Sequence, residues 1–208
     1  MASYSGSNGV STWYDDHGDG DPLVLLNPAA TDSRAFGPNL GALAAHFHTY
    51  TPDRRGHGHT PDVDGPITFD LMAADTVEFL EQVVGGPADL VGRSDGAVVA
   101  LVTALRRPDL VRRLVCVAGV FHLDGWVPEA IDPDVRCRTL VMVGDDDEVT
   151  LEHAIEFYRG LPNGELAVVP GTSHGLLVEK PDLCNRIVVE FLTIEPVETF
   201  APIRRATA

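Results

Sequence analysis

The chain contains no apolar run approaching the roughly 20 residues that a helix needs to cross a bilayer, so its apolar content must serve a folded core. It is short of positive charge: 15 Lys and Arg stand against 31 Asp and Glu, a formal net charge of −16. Nucleic acid and anionic membrane are thereby disfavoured as partners, because like charge repels at long range. That balance suits solubility, and neutral or cationic small molecules over anionic ones. Cysteine is scarce too. Cys116, Cys137 and Cys184 are odd in number, widely separated and without zinc-binding spacing, which argues against a disulfide framework and for a reduced, cytoplasmic protein. The first residues, Met1 to Asn8, lack the basic start and apolar stretch of a secretory signal. Residues 1–9 are therefore expected to form a flexible leader.

What is present is an ordinary globular composition, 44% hydrophobic over 208 residues, enough for one domain with a substantial core. Strand-like and helix-like patterns alternate. Pro22 to Leu26, Thr49 to Thr51, Ala88 to Val91, Val111 to Ala118, Thr139 to Val143 and Glu165 to Val169 read as strands. Phe36 to Phe47, Thr68 to Val84, the run from Ala97 to Arg106, Leu151 to Leu161 and Pro181 to Leu192 read as helices. Such alternation predicts an α/β domain over residues 10–194, a mostly parallel sheet with helices on both faces. Residues 195–208 are polar with two prolines and read as a tail or a packed extension.

One short motif carries chemistry. Gly92-Arg93-Ser94-Asp95-Gly96 follows an apolar strand and opens a helix, which is the setting of a nucleophile elbow. A serine hydroxyl is a poor nucleophile at neutral pH and needs a base, and the base needs an orienting carboxylate. Two later strands end in suitable loops. Leu140 to Val143 runs into Gly144-Asp145-Asp146-Asp147-Glu148-Val149, and Leu166 to Val169 runs into Pro170-Gly171-Thr172-Ser173-His174-Gly175. The acid-rich loop lacks the alternating ligands and central glycine of an EF-hand.

The chain resembles the α/β-hydrolase fold family, in its single-domain serine esterase and lactonase form, from about Thr12 to about Leu192. Besides the elbow, Pro52-Asp53-Arg54-Arg55-Gly56-His57-Gly58 is similar to the segment that follows the family's second core strand. Gly144-x-x-Asp147-x-Val149 is similar to its acid loop, and Gly171-Thr172-Ser173-His174 to its base loop. The resemblance implies Ser94 as nucleophile, His174 as general base and acid, and Asp147 as orienting carboxylate, with Asp145 and Asp146 as solvated loop residues. It also implies oxyanion donors: the backbone amides of Asp95 and of Ala29. Where the family usually has His-Gly, this chain has Asn27-Pro28, and Pro28 can donate nothing. No cofactor and no metal are expected; His57 and His59 are explained by the loop they share.

Relatives insert a helical cap between the strand ending near Ala118 and the acid-bearing strand. Here only Gly119 to Arg138 intervenes, so little or no lid is expected, with an open pocket lined by Phe121, Leu123, Trp126, Arg34 and Phe36, and His122 placed to touch substrate. Arg93 reads either as a charge facing substrate or as a side chain packed beneath the elbow. The expectation is a cofactor-free hydrolase of carboxylic esters or lactones, with small-molecule substrates and no nucleic-acid or membrane partner. Perhydrolase chemistry on the same residues, or a non-catalytic binding protein that kept the fold, are the alternatives.

Overall fold

Five segments of this chain, Pro22 to Leu26, Ala88 to Val91, Leu114 to Val117, Leu140 to Val143 and Leu166 to Val169, are apolar strand-like runs rich in branched residues, the kind that is buried on both faces only when helices cover both. A computed structural model describes residues 3–7, 9–121, 135–197 and 199–201. It contains one eight-stranded sheet. In chain order the strands are β1 (Ser3–Ser7), β2 (Val10–His17), β3 (Asp21–Leu26), β4 (Phe47–Pro52), β5 (Ala88–Arg93), β6 (Val111–Val117), β7 (Arg138–Gly144) and β8 (Gly164–Val169). Across the sheet they run β1-β2-β4-β3-β5-β6-β7-β8. β1 and β2 pair antiparallel, as do β2 and β4, and every other pairing is parallel.

Alternation along each strand divides the core in two. Val24, Leu26, Leu90, Leu114, Cys116, Val141 and Val143 face one side, where α2 (Phe69–Phe79), α3 (Asp95–Arg106) and α4 (Leu151–Gly160) cover them. Leu23, Leu25, Val91, Val115, Val117, Leu140 and Met142 face the other, under α1 (Gly37–Ala44), α5 (Leu176–Glu179) and α6 (Pro181–Thr193). Thr68 and Thr150 cap α2 and α4 by accepting from the amides of Leu71 and His153, as side-chain oxygens do at helix starts. Cys116 and Cys184 are buried free thiols.

The strand order dictates where a site can form. From β3 the chain crosses to β4 on one side and later returns to β5 on the other, so the order reverses between β3 and β5. Connections leave in opposite directions there, and a crevice opens at the carboxyl ends of the two strands. Leu26 and Gly92 are in register at that point, so Asn27 and Ser94 emerge side by side.

Two elements depart from expectation. Ser3–Ser7, within the segment read as a leader, pairs residue for residue with Val10–Tyr14. α2 ends in a π turn, Leu80–Val84, stopped by Gly85 in the left-handed region at φ 83°. Only Ala118 to Cys137 connects β6 to β7, too short for a lid domain. His122, Leu123 and Trp126, which were expected to line the pocket, lie outside the described residues, as does the end of the chain beyond residue 201.

Candidate active site

The turn after β5 is held by steric necessity. Ser94 sits at φ 52°, ψ −123°, a conformation that costs a non-glycine residue on the order of 1–3 kcal/mol and persists only where its surroundings enforce it. A Cβ on Gly92 would run into the backbone of Gly96 and Ala97, and one on Gly96 into the Leu26 and Asn27 carbonyls. The Ser94 amide donates to Val117 O at 2.8 Å, and its carbonyl accepts from Ala97 N at 2.8 Å, locking the turn between β6 and α3.

His174 and Asp147 arrive from the far side of the sheet. A Cβ on Gly144 would strike the Thr172 and Ser173 carbonyls, so the end of β7 touches the loop after β8 directly. Asp145 Oδ1 accepts from Thr172 N at 3.0 Å, and Asp146 N donates to Thr172 O at 3.0 Å. Asp145, expected to be merely solvated, thus ties the acid loop to the base loop. The outcome is a continuous series: Ser94 Oγ lies 3.1 Å from His174 Nε2, and His174 Nδ1 lies 2.9 Å from Asp147 Oδ1.

Electrostatics suit that series. The Asp147 side chain is 0% exposed. Burial alone would push its carboxyl up, but the His174 hydrogen bond and the amides of Val149 (3.0 Å) and Gly144 (3.4 Å) hold it below the ordinary carboxylate value. His174 is raised above its ordinary 6.5, chiefly by the Asp147 hydrogen bond, with burial opposing. Glu148 adds to the raise. Its Oε1 lies 3.4 Å from His174 Nε2, on the solvent side and 75% exposed.

The facing loop is Asn27 to Thr31. Asn27, fully buried, donates from Nδ2 to Pro28 O and Thr31 O, both at 3.0 Å, and Thr31 Oγ1 donates to Pro28 O at 2.9 Å. Ala30 takes φ 52°. Pro28 is therefore accommodated by a loop whose carbonyls are gathered inward. Among the described residues, no acceptor is found for the amides of Ala29 and Asp95.

A model of the alpha/beta hydrolase family matches residues 23–136, more than half of the chain. This protein belongs to the α/β hydrolase family. Human serine hydrolase BPHL is 36% identical over an alignment covering 89% of this chain and 84% of that one. A hydrolase of Acinetobacter baylyi, named for (E)-2-((N-methylformamido)methylene)succinate, is 27% identical over 60% of this chain but only 48% of its own length. The chain thus spans about half of that relative. Among solved structures, the enol-lactonase of Burkholderia xenovorans LB400 superposes with a TM-score of 0.84 at 21% identity, covering 92% of this chain and 100% of that one. A serine hydrolase of carbazole degradation reaches 0.86 at 20%, covering 94% and 99%. At such identities the structures speak to the fold alone.

The other residues weighed for the site in this α/β hydrolase have partners of their own. Phe121 is buried, stacked on Phe157 at 5.1 Å between ring centroids, and its amide donates to His153 Nε2 at 3.1 Å. Phe36 is a core residue beneath α1, not a pocket wall. Arg34 points to solvent, its side chain 84% exposed and forked onto Asp32. His57 and His59 are satisfied within their loop, by Arg55 O at 2.8 Å and by the buried Asp53 carboxylate at 2.9 Å. Glu148 and Glu179 escaped sequence reasoning. Nothing local marks Glu148 as a neighbour of the His174 imidazole, or Glu179 as the acceptor for the amide and hydroxyl of Ser173, because the fold brings them there.

Proposed function

We propose that this protein is a serine hydrolase that cleaves carboxylic esters or lactones through an acyl-enzyme. The observation that carries the reading is the unbroken series from Ser94 Oγ through His174 to the fully buried Asp147. Ser94 Oγ attacks the carbonyl carbon while His174 Nε2 takes its proton. The resulting imidazolium is stabilised by Asp147, whose depressed pKa keeps it a carboxylate throughout. The oxyanion is received by the Asp95 and Ala29 amides, donors that need no reorganisation when charge develops. His174 then returns the proton to the departing alkoxide, leaving Ser94 acylated. Water deprotonated by His174 attacks the acyl carbon and frees the acid. In a lactone the alkoxide remains tethered, and the product is a hydroxy acid.

The preference for esters and lactones over amides rests on the shortness of the connection between β6 and β7. The Ala118 to Cys137 connection leaves little chain to cover Ser94, so water can reach the acyl-enzyme, and a poor amine leaving group gains little from enclosure. Steady-state hydrolysis of a short-chain p-nitrophenyl ester and of an aliphatic lactone tests the reading. Ser94→Ala should lower kcat by three orders of magnitude or more on both, as loss of such a nucleophile does. Equal turnover by the wild type and a folded Ser94→Ala variant would overturn it.

A further inference from the structure

Arg93 is the charged group that the reaction scheme leaves unused. It closes β5 immediately before Ser94, and alternation places its side chain on the α5 and α6 face, with Val91. There its Nη2 donates to the carbonyl oxygen of His174 at 3.2 Å. Its Nε is buried without a hydrogen-bond partner among the described residues. No described carboxylate forms an ion pair with it. Glu179, the nearest candidate on α5, is occupied instead with Ser173, accepting from its amide at 2.7 Å and from its hydroxyl at 2.5 Å.

A half-buried guanidinium with an orphaned nitrogen and no private counter-ion is costly, and an apolar side chain would fill the same space more cheaply. We propose that Arg93 is a positioning residue: it ties the base loop to the nucleophile turn and sets a positive charge against the carboxylates that crowd His174. The proposal rests on the reading of His174 as the base.

The charges around His174 can be named from every side. Asp147 and Glu148 approach from the loop after β7 and favour the protonated imidazole, while Arg93 from β5 opposes it. Arg93 in turn feels Asp147 and Glu179. Without Arg93, His174 would face Asp147 and Glu148 with no opposing cation among the described residues and would hold its proton to higher pH. A protonated imidazole cannot accept the Ser94 proton. The backbone hydrogen bond does a second job, because both partners of the Ser94 to His174 contact then hang on one rigid strand end.

Arg93→Met keeps the length of the side chain and removes the charge and the donors; Arg93→Lys keeps the charge. The imidazole of His174, followed by NMR in protein labelled with 15N-histidine, gives a readout that needs no substrate. Arg93→Met should move its midpoint upward by roughly half a pH unit or more, the sense expected when a nearby cation is lost. The acid limb of kcat/KM should move with it. Turnover should fall at least about tenfold at neutral pH and recover in part as the pH is raised. Arg93→Lys should hold the midpoint near the wild-type place and regain part of kcat. A folded Arg93→Met protein whose His174 titrates as in the wild type would overturn the proposal. If Arg93→Met does not fold, Arg93→Lys decides: an unmoved midpoint with lowered kcat supports the proposal, and a midpoint displaced upward overturns it. A moved midpoint in a protein that hydrolyses no ester even as wild type would sink the proposed function and leave the role of Arg93 standing.

Discussion

Two carboxylates at opposite ends of the sheet have side chains with 0% exposure, Asp147 at the carboxyl ends of the strands and Asp89 at the start of β5. Asp89 has the more obvious cations: Arg112 Nη2 at 3.4 Å and Arg113 Nη1 at 3.6 Å. Among the described residues Asp147 has no arginine in salt-bridge reach; its partners are an imidazole and two amides. Yet burial raises Asp89 above the ordinary value despite both arginines, whereas Asp147 is lowered despite its burial. The difference lies in directed donors. Both Asp147 oxygens accept hydrogen bonds, while Asp89 Oδ1 has no partner among the described residues. Its arginines are divided with Asp21 at 3.3 Å and Glu195 at 3.1 Å. Close, aimed donors stabilise a buried anion better than more distant, shared charge.

Replacing each carboxylate by its amide should separate the two sites sharply. Asp147→Asn should reduce kcat by about 10³–10⁴, because the amide presents the wrong partner to His174 Nδ1. Asp89→Asn should leave kcat within about twofold, since it lies at the far end of the strand from Ser94. Comparable losses in the two variants, measured on one ester, would erase the distinction.

Stability should diverge as well, with opposite signs. The lowered pKa of Asp147 gives stability that is present above the unfolded carboxylate value and is lost as pH falls through the folded one. The raised pKa of Asp89 works in reverse: its contribution is complete below the unfolded value of 3.8 and disappears as pH rises through the folded value. Thermal unfolding across the acid range should therefore show Asp89→Asn losing less stability than the wild type as pH rises above about 4, and Asp147→Asn losing less as pH falls below it. Parallel curves for all three proteins would contradict the assigned directions.

The same contrast explains what could be read from residues alone. Glycines at Gly92 and Gly96, forced by contacts with Ala97 and Leu26, leave a sequence mark, and so do the apolar runs of β3, β5 and β7. The order Ser94, Asp147, His174 was legible because each follows its own strand. β2 was not, since its later residues, Tyr14-Asp15-Asp16-His17, are half-buried and lack an apolar signature. Phe36 resembled a pocket residue only while the packing of α1 was unknown. Glu148 and Arg93 meet His174 through tertiary approach across 26 and 81 positions of sequence, and no local pattern announces such contacts.

Smaller effects should refine the picture of His174. Its pKa stands above 6.5, so the imidazole is protonated below that raised value and hydrolysis should climb with pH through a midpoint above 6.5. Glu148→Gln removes an exposed carboxylate 3.4 Å from Nε2 and should move that midpoint down slightly, by a few tenths of a unit, the modest size expected of a solvent-screened charge. A kcat/KM profile for the variant that moves upward would show that Glu148 acts on something other than the imidazolium.

The central claim is that Ser94 is a nucleophile activated by His174. Labelling with an alkyl p-nitrophenyl phosphonate, followed by peptide mass spectrometry, tests it without assuming any natural substrate. A single phosphonyl group on the peptide containing Gly92 to Gly96, located at Ser94 and lost in a folded His174→Ala protein, is the predicted result. No adduct, an adduct at another residue, or equal labelling of wild type and His174→Ala would contradict it.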